Sequence, residues 1–161
     1  MTILFRAVLA IASIALAACS PGQAGGKPAP AGTSAATEAR HPVSGLPVVP
    51  LRIGTRTFRV EVARSDEEQQ RGLMFRTEMG ADEGMIFLRE PADYAAFWMR
   101  NTVIPLDIIF IGKDRRILNI QHGVPYDETP LPSSGVALAV LELNGGRAEA
   151  LGIKPGDRVE W

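Results

Sequence analysis

The residues between positions 97 and 110 carry most of the side chains in this sequence that could do chemistry. Asp107 alternates in phase with the isoleucines that follow it, which places a carboxylate on an otherwise apolar strand face. A buried carboxylate needs a cationic or hydrogen-bonding partner, and Arg100 and Arg76 are the natural candidates. These groups predict a pocket for an anion or a polar ligand, in which an arginine fork contacts the ligand and Asp107 orients the arginine.

The same run of residues also has a structural interpretation, and the sequence leaves both open. Asp107 would accept backbone amides of the loop from Asn101 to Pro105, and a salt bridge with an arginine would hold that loop. Asn101 either donates to a ligand or adopts the positive φ of a turn. Trp98 suits stacking on a sugar ring or packing in the core. The predicted ligand-binding set is Arg76, Trp98, Arg100, Asn101 and Asp107.

Catalytic and metal-binding patterns are weaker in this sequence. A hydrolase would combine His122 with a nearby carboxylate, Asp127 or Glu128, or with the hydroxyl groups of Ser133 and Ser134. The methionines could bind Cu(I), but their irregular spacing is more typical of core packing. Neither a glycine-rich phosphate loop nor zinc-ligand spacing occurs. We therefore predict no catalytic residue, no metal site and no cofactor.

Short strands with brief helices must position these side chains. Alternating apolar residues change phase near Gly54, which predicts a hairpin over residues 51–62. Ser65 and Glu68 form a capping-box pattern at the start of one short helix, and Asn144 is placed to cap a second over residues 145–151. The predicted class is mainly β: a compact single domain over residues 51–161, β-sandwich, jelly-roll-like or barrel-like, with one or two short helices.

Four motifs stand out in this domain: Gly72-Leu-Met-Phe-Arg76, Gly84-Met-Ile-Phe87, Phe97-Trp-Met-Arg-Asn-Thr102 and Ile104-Pro-Leu-Asp107. Together they resemble the domain of unknown function 192 family, and the similarity extends to the C-terminal end of the chain. The resemblance implies a single, mainly β domain reminiscent of jelly-roll sandwiches. It implies no particular chemistry, because the family has no assigned activity.

The N-terminal segment predicts export and lipid anchoring. Residues 7–18 form an apolar run that is too short to span a membrane but suits a signal peptide over residues 1–18. Cys19, the only cysteine, follows two alanines in a pattern that resembles a bacterial lipobox, so we expect a lipid on its thiol. Residues 19–50 then predict a disordered tether, because 22 of the 31 residues from 20 to 50 are Ala, Pro, Gly, Ser or Thr. His41 lies in this tether and is assigned no role.

The net charge of the domain and the predicted lipid anchor together limit the classes of function that this protein can have. Residues 51–161 contain 14 Lys and Arg against 17 Asp and Glu, a net charge of −3, which argues against a nucleic-acid partner. We expect a monomer on the cell envelope, anchored to the outer membrane and facing the periplasm. The expected function is non-catalytic binding of a small polar or anionic ligand or a glycan. The alternatives are an envelope hydrolase that uses His122, or a structural lipoprotein that docks a partner protein.

Overall fold

A computed structural model describes residues 39–161 of the chain. The predicted signal peptide, Cys19 and most of the predicted tether lie outside the described residues. The elements, in chain order, are β1 (Val48–Ile53), β2 (Arg56–Ala63), α1 (Asp66–Arg71), β3 (Glu83–Asp93), β4 (Ala96–Phe97), β5 (Leu106–Gly112), β6 (Ile117–Gly123), β7 (Leu131–Pro132), β8 (Ala137–Asn144), α2 (Arg147–Ala150) and β9 (Val159–Glu160).

Seven of the strands form one curled sheet in the order β6-β5-β8-β3-β2-β1-β9, while β4 and β7 pair separately. Strands β2 and β3 are parallel, and the other pairs in the sheet are antiparallel. A bridge between Arg116 and Arg158 connects the two outermost strands at one end. There the amide of Val159 donates to the carbonyl of Arg115 at 2.8 Å. The mainly β, single-domain class with two short helices is confirmed, and the sheet is barrel-like.

The apolar core has two parts, one on each face of the sheet. The inner cluster fills the curl of the sheet, and its largest members include Leu51, Phe58, Ile86, Ile109 and Leu141. The outer cluster covers the other face of β3, β5 and β8, and includes Met85, Phe87, Met99, Phe110 and Val140. Strands that are covered on both faces read as nearly continuous apolar runs. A charged residue within β5 or β8 is therefore a chemical exception that needs a physical explanation.

Two of the predicted local elements are confirmed. A turn at Gly54 joins β1 and β2, as the change of phase requires. The capping box of α1 is complete, because the Ser65 hydroxyl accepts from the Glu68 amide at 3.2 Å and the Glu68 carboxylate accepts from the Ser65 amide at 2.9 Å. The hydrogen bonds from the backbone of Ser65 and then of Arg64 lower the pKa of Glu68.

The predicted capping role of Asn144 is wrong. Asn144 is the last residue of β8, and its side chain donates to the carbonyls of Met79 and Gly80 at 3.1 and 2.9 Å. It does not cap α2, which begins at Arg147 and whose N-cap residue, Gly146, has no side chain to accept a hydrogen bond from the helix amides. The amides at the start of α2 instead donate to the carboxylate of Asp107, which lies on β5.

The predicted tether is wrong for residues 39–50. A bridge pairs Arg40 with Pro47, and β1 begins at Val48, so this segment belongs to the folded unit. This segment is held by the pairing of β1 with β2 and by the packing of Leu46 on the outer cluster. Its composition, which is typical of a disordered tether, does not predict either interaction. His41 also packs against the domain, with a side chain that is 13% exposed. Among the helices of residues 39–161, none has the length and hydropathy needed to cross a membrane.

Candidate functional site

The five residues predicted to bind a ligand lie in three separate places. Trp98, Arg100 and Asn101 line a groove beside α1. Arg76 forms an ion pair with a residue of β2, and Asp107 lies beneath the start of α2. The predicted partnership of Asp107 with Arg76 or Arg100 is therefore wrong, because each arginine is paired with a glutamate elsewhere.

Arg76 belongs to a buried polar network on β2. Its Nη1 lies 2.8 Å from Oε1 of Glu61, and its Nη2 donates to Oε2 at 3.1 Å. Ser44 donates to the same carboxylate, and the Nδ1 of His41 lies 3.7 Å from it. The network holds residues 40–47 against β2, so the geometry gives Arg76 a structural contact.

Asp107 is fully buried and accepts three hydrogen bonds. Its Oδ1 accepts from the amide of Gly146 at 3.0 Å, and its Oδ2 accepts from the amide of Ala148 at 2.7 Å. The Nδ1 of His122 lies 2.8 Å from Oδ1. The structural interpretation of Asp107 as an acceptor of backbone amides is right in kind. Its partners differ from those predicted, because the amides belong to the start of α2 and the side-chain partner is a histidine.

The groove has a volume of about 890 Å³ and lies among α1, the loop that follows it and residues 96–102. Trp98 is 48% exposed, and the guanidinium of Arg100 lies 4.4 Å from the centre of its ring. Arg100 also pairs with Glu128 at 2.6 Å. The hydrogen bond from Arg100 lowers the pKa of Glu128. An exposed aromatic side chain beside guanidinium donors suits a ligand with an apolar face and polar edges, such as a sugar.

Three loops beside the groove are tied together by backbone hydrogen bonds. The amide of Phe75 donates to the carbonyl of Asn101 at 2.8 Å, and the amide of Tyr126 donates to the carbonyl of Thr102 at 3.2 Å. Phe75, Asn101 and Tyr126 all have φ between +54° and +64°, which is unfavourable for the two aromatic residues. These bonds hold Phe75 and Tyr126 in solvent, 64% and 62% exposed. The turn interpretation of Asn101 is confirmed for its backbone.

Sequence reasoning missed Glu142, which also lines the groove. It lies on β8 between Met85 of β3 and Ile108 of β5, and it is only 5% exposed. No hydrogen bond or ion pair to its carboxyl occurs within residues 39–161. Burial raises its pKa to about 8, so the side chain holds a proton at neutral pH. The available signal was a single charge inside the apolar run Ala137–Leu143.

Two further arginines line the groove without an acidic partner. Neither Arg71 nor Arg89 forms an ion pair with any of the described residues, and the Nε of Arg89 is buried without a hydrogen-bond partner. A smaller cavity of about 340 Å³ shares Arg89 with the groove. Guanidinium groups in such positions can bind a carboxylate or a phosphate.

The two carboxylates predicted to act with His122, Asp127 and Glu128, make other contacts. His122 contacts Asp107, whereas Asp127 accepts from Thr129 and Glu128 pairs with Arg100. The hydroxyl of Ser133 accepts from the amide of Ala95, and the one side-chain hydrogen bond of His122 within residues 39–161 is with Asp107 and not with either serine. Within the part of the chain that the structure describes, no group of three His, Cys, Asp or Glu side chains could hold a metal ion.

Residues 49–161 match the sequence profile of the DUF192 family, described as "Uncharacterized ACR". The chain belongs to this family. A crystal structure of a protein of unknown function from Novosphingobium aromaticivorans DSM 12444 is 66% identical, with a TM-score of 0.75 over 79% of this chain and 94% of that one. A second, from Sinorhizobium meliloti 1021 and named provisionally as a transcription regulator, is 37% identical, with a TM-score of 0.67 over 69% and 91%. No curated protein matches this DUF192 chain.

Proposed function

We propose that this DUF192 protein is a non-catalytic binding module for a small polar or anionic ligand or a glycan. The groove beside α1 carries the proposal, because it combines an exposed indole, guanidinium groups without acidic partners and a buried carboxyl in one concavity. Its volume of about 890 Å³ lies within the range of small-molecule sites. Trp98 and Arg100 of the predicted set contribute directly to it.

The chemistry of the walls favours an oxygen-rich ligand. Trp98 offers an aromatic face for the apolar side of a sugar ring, and Arg71 and Arg89 offer donors to a carboxylate or a phosphate. The loops that hold Phe75 and Asn101 are fixed by backbone hydrogen bonds, so little ordering is needed on binding.

Binding of nucleic acid is a poorer proposal for this chain. The description of the S. meliloti relative mentions transcription, but residues 51–161 of this chain carry a net charge of −3. Nucleic-acid affinity depends mainly on neutralising phosphates with a basic surface. The three groove arginines are instead confined to one concavity, which fits a small anion better.

Ligand binding is tested by isothermal titration of the purified chain with sugars, sugar acids, inorganic phosphate and nucleotides. We expect at least one of these compounds to bind, and we expect Arg71→Ala and Trp98→Ala each to weaken binding at least tenfold. Arg59→Ala is the matched control, because Arg59 is an exposed arginine without an ion pair in the described residues and lies outside the groove. Failure of every compound to bind, or equal losses in all three variants, would overturn the proposal.

We further propose that a lipid on Cys19 tethers the protein to the bacterial envelope, on the periplasmic face of the outer membrane. Two or three acyl chains hold a protein on a bilayer without a transmembrane helix. The test is membrane fractionation with a metabolically incorporated palmitate label. The native chain should enter the membrane fraction and carry the label, and Cys19→Ser should lose both. A labelled Cys19→Ser chain would contradict the proposal.

A hydrolase remains the second candidate, and the pair of His122 and Asp107 favours it. The imidazole is 69% exposed and a fully buried carboxylate orients it, which is the arrangement of a general base. If the chain hydrolyses an envelope ester or glycoside, His122→Ala should abolish turnover while leaving binding in the groove intact. Turnover that survives His122→Ala would remove this candidate.

A further inference from the structure

The Glu142 side chain is only 5% exposed, and its carboxyl makes no hydrogen bond to another described residue. Most buried polar groups in proteins are hydrogen-bonded, so a nearly buried carboxyl without a protein partner is suited to contact a ligand. The outer face around Glu142 consists of Met85, Ile108 and Val140, whose side chains carry no N–H or O–H donor. The open direction is the groove, which Glu142 lines together with Phe87 of the neighbouring strand.

Arg89 provides a second unsatisfied group on the same groove. Its Nε is buried and lacks a hydrogen-bond partner, and no acidic side chain of residues 39–161 pairs with its guanidinium. One buried carboxyl and one unpaired guanidinium therefore line the same concavity. Together they are complementary to a ligand that carries an anionic group and, separately, an uncharged oxygen.

We propose that the groove binds a sugar acid, whose carboxylate pairs with Arg89 and whose hydroxyl or amide oxygen accepts a hydrogen bond from the carboxyl of Glu142. This inference rests on the proposed binding function and adds the ligand class and the contact residues. Trp98 and Phe75 are the exposed aromatic residues of the groove, and the indole of Trp98 stacks on the ring of the sugar.

Protonation of Glu142 makes this recognition dependent on pH. A carboxyl group donates only while it holds its proton, and an ionised Glu142 would repel the carboxylate of the ligand. The other charged groups on the groove are Asp66 and Glu67 of α1, Arg71 after them, Arg89 of β3 and Arg100. Glu142 is buried between β3 and β5, and this burial raises its pKa to about 8, so it changes charge between pH 6 and pH 9.

The test uses three pairs of sugars that differ chiefly in a carboxylate: glucuronate and glucose, galacturonate and galactose, and N-acetylmuramate and N-acetylglucosamine. Each is titrated calorimetrically into the purified chain at pH 6 and pH 9. At least one acid should bind at pH 6 at least tenfold more tightly than its neutral partner. With a pKa of about 8, about a tenth of the protein keeps the proton at pH 9, so affinity should fall about tenfold.

Two variants of Glu142 separate its role as a hydrogen-bond donor from any general effect of a substitution on the shape of the groove. Glu142→Gln keeps an uncharged donor, so it should bind at pH 6 within a few-fold of the native chain and lose the pH dependence. Glu142→Leu fills the site without a donor, should fold at least as well as the native chain, and should lose at least tenfold in affinity. Thermal melting of both variants verifies that they fold.

The outcomes distinguish this inference from the proposed function. Binding of a sugar acid that is equal at pH 6 and pH 9, or unchanged in Glu142→Leu, would overturn the role of Glu142 and leave the binding module intact. Tighter binding of the neutral sugars than of the acids, or of phosphate alone, would overturn the ligand class. If no sugar, phosphate or nucleotide binds, the proposed function itself fails.

Discussion

Arg76 and Glu61 form a two-point ion pair in which the Glu61 side chain is buried, at 3% exposed, and the Arg76 side chain is largely covered, at 13% exposed. The two contacts, 2.8 and 3.1 Å long, satisfy both oxygens of the carboxylate. Such a pair as a whole contributes modestly to the free energy of unfolding. Removing one partner lowers that free energy strongly, because the other charge then stays buried and uncompensated. The pair also anchors residues 40–47, which belong to the folded unit.

Arg76→Met should lower the free energy of unfolding by about 3 kcal/mol, because it leaves the Glu61 carboxylate buried without its main partner. Arg76→Met combined with Glu61→Leu should recover most of that loss, since no buried charge remains. Arg71→Met is the control: this exposed arginine has no acidic partner in the described residues, and its replacement should hardly change stability. Urea denaturation measures all three variants. Equal losses in the single and double variants would show that the pair is not coupled.

Asp107→Asn should destabilise the protein by about 2–3 kcal/mol. Each oxygen of Asp107 accepts from one backbone amide, of Gly146 or of Ala148. In asparagine an NH₂ group replaces one of these oxygens, so one buried backbone amide loses its acceptor. Glu149→Gln is the matched control on α2, because Glu149 is exposed and makes no side-chain hydrogen bond in the described residues. Chemical denaturation gives the comparison. A stable Asp107→Asn variant with impaired ligand binding would instead restore Asp107 to the predicted binding set.

The pKa of Glu142 predicts how stability depends on pH. Because the folded pKa, about 8, is above the usual 4.5, the folded state binds more protons between these values than the unfolded state does. The contribution of the Glu142 proton to the free energy of unfolding is therefore fully present below pH 4.5. It is lost as the pH rises towards 8, by up to about 1.4 kcal/mol per pH unit.

Urea denaturation between pH 5 and pH 8, compared with Glu142→Gln, measures this dependence. The variant carries no titrating group at position 142 and should show a shallower decline in its free energy of unfolding. The difference between the two curves isolates Glu142, because all other titrating groups are shared. Parallel curves would mean that the Glu142 carboxyl is ionised at neutral pH in the folded state.

Local interactions explain which parts of the structure were predictable. The capping box at Ser65 and the hairpin turn at Gly54 involve residues within a few positions of each other, and both are confirmed. The buried position of Asp107 followed from alternation along one strand, and it is confirmed as well. Its partners could not be predicted, because alternation indicates the face of a side chain but not which distant amides or side chains reach that face.

Three residues of the predicted pocket, Trp98, Arg100 and Asn101, do line the groove, but its other walls could not be predicted for the same reason. Its walls meet through backbone hydrogen bonds between segments far apart in sequence, such as that from Phe75 to Asn101. These contacts leave no periodic pattern, and the carbonyl and amide groups involved are common to all residues. Glu142 did leave a signal comparable to that of Asp107, since each is a lone acid in an apolar strand. The end of the tether was misplaced because composition describes a segment on its own and not the strand with which it pairs.

Phe75 and Tyr126 allow one last comparison, because they share backbone geometry but differ in position. Both are exposed aromatic residues with φ near +63°, and only Phe75 lines the groove. Asparagine tolerates this conformation far better, so Phe75→Asn and Tyr126→Asn should each raise the free energy of unfolding by about 1 kcal/mol. Binding of a groove ligand should weaken several-fold in Phe75→Asn and stay unchanged in Tyr126→Asn.

Thermal denaturation and calorimetric titration of both variants test this, and equal effects on binding would mean that the ligand contacts the two loops alike. A gain in stability with a loss of binding at Phe75 alone would show that the strained aromatic residue is retained for its contact with the ligand, at the expense of stability.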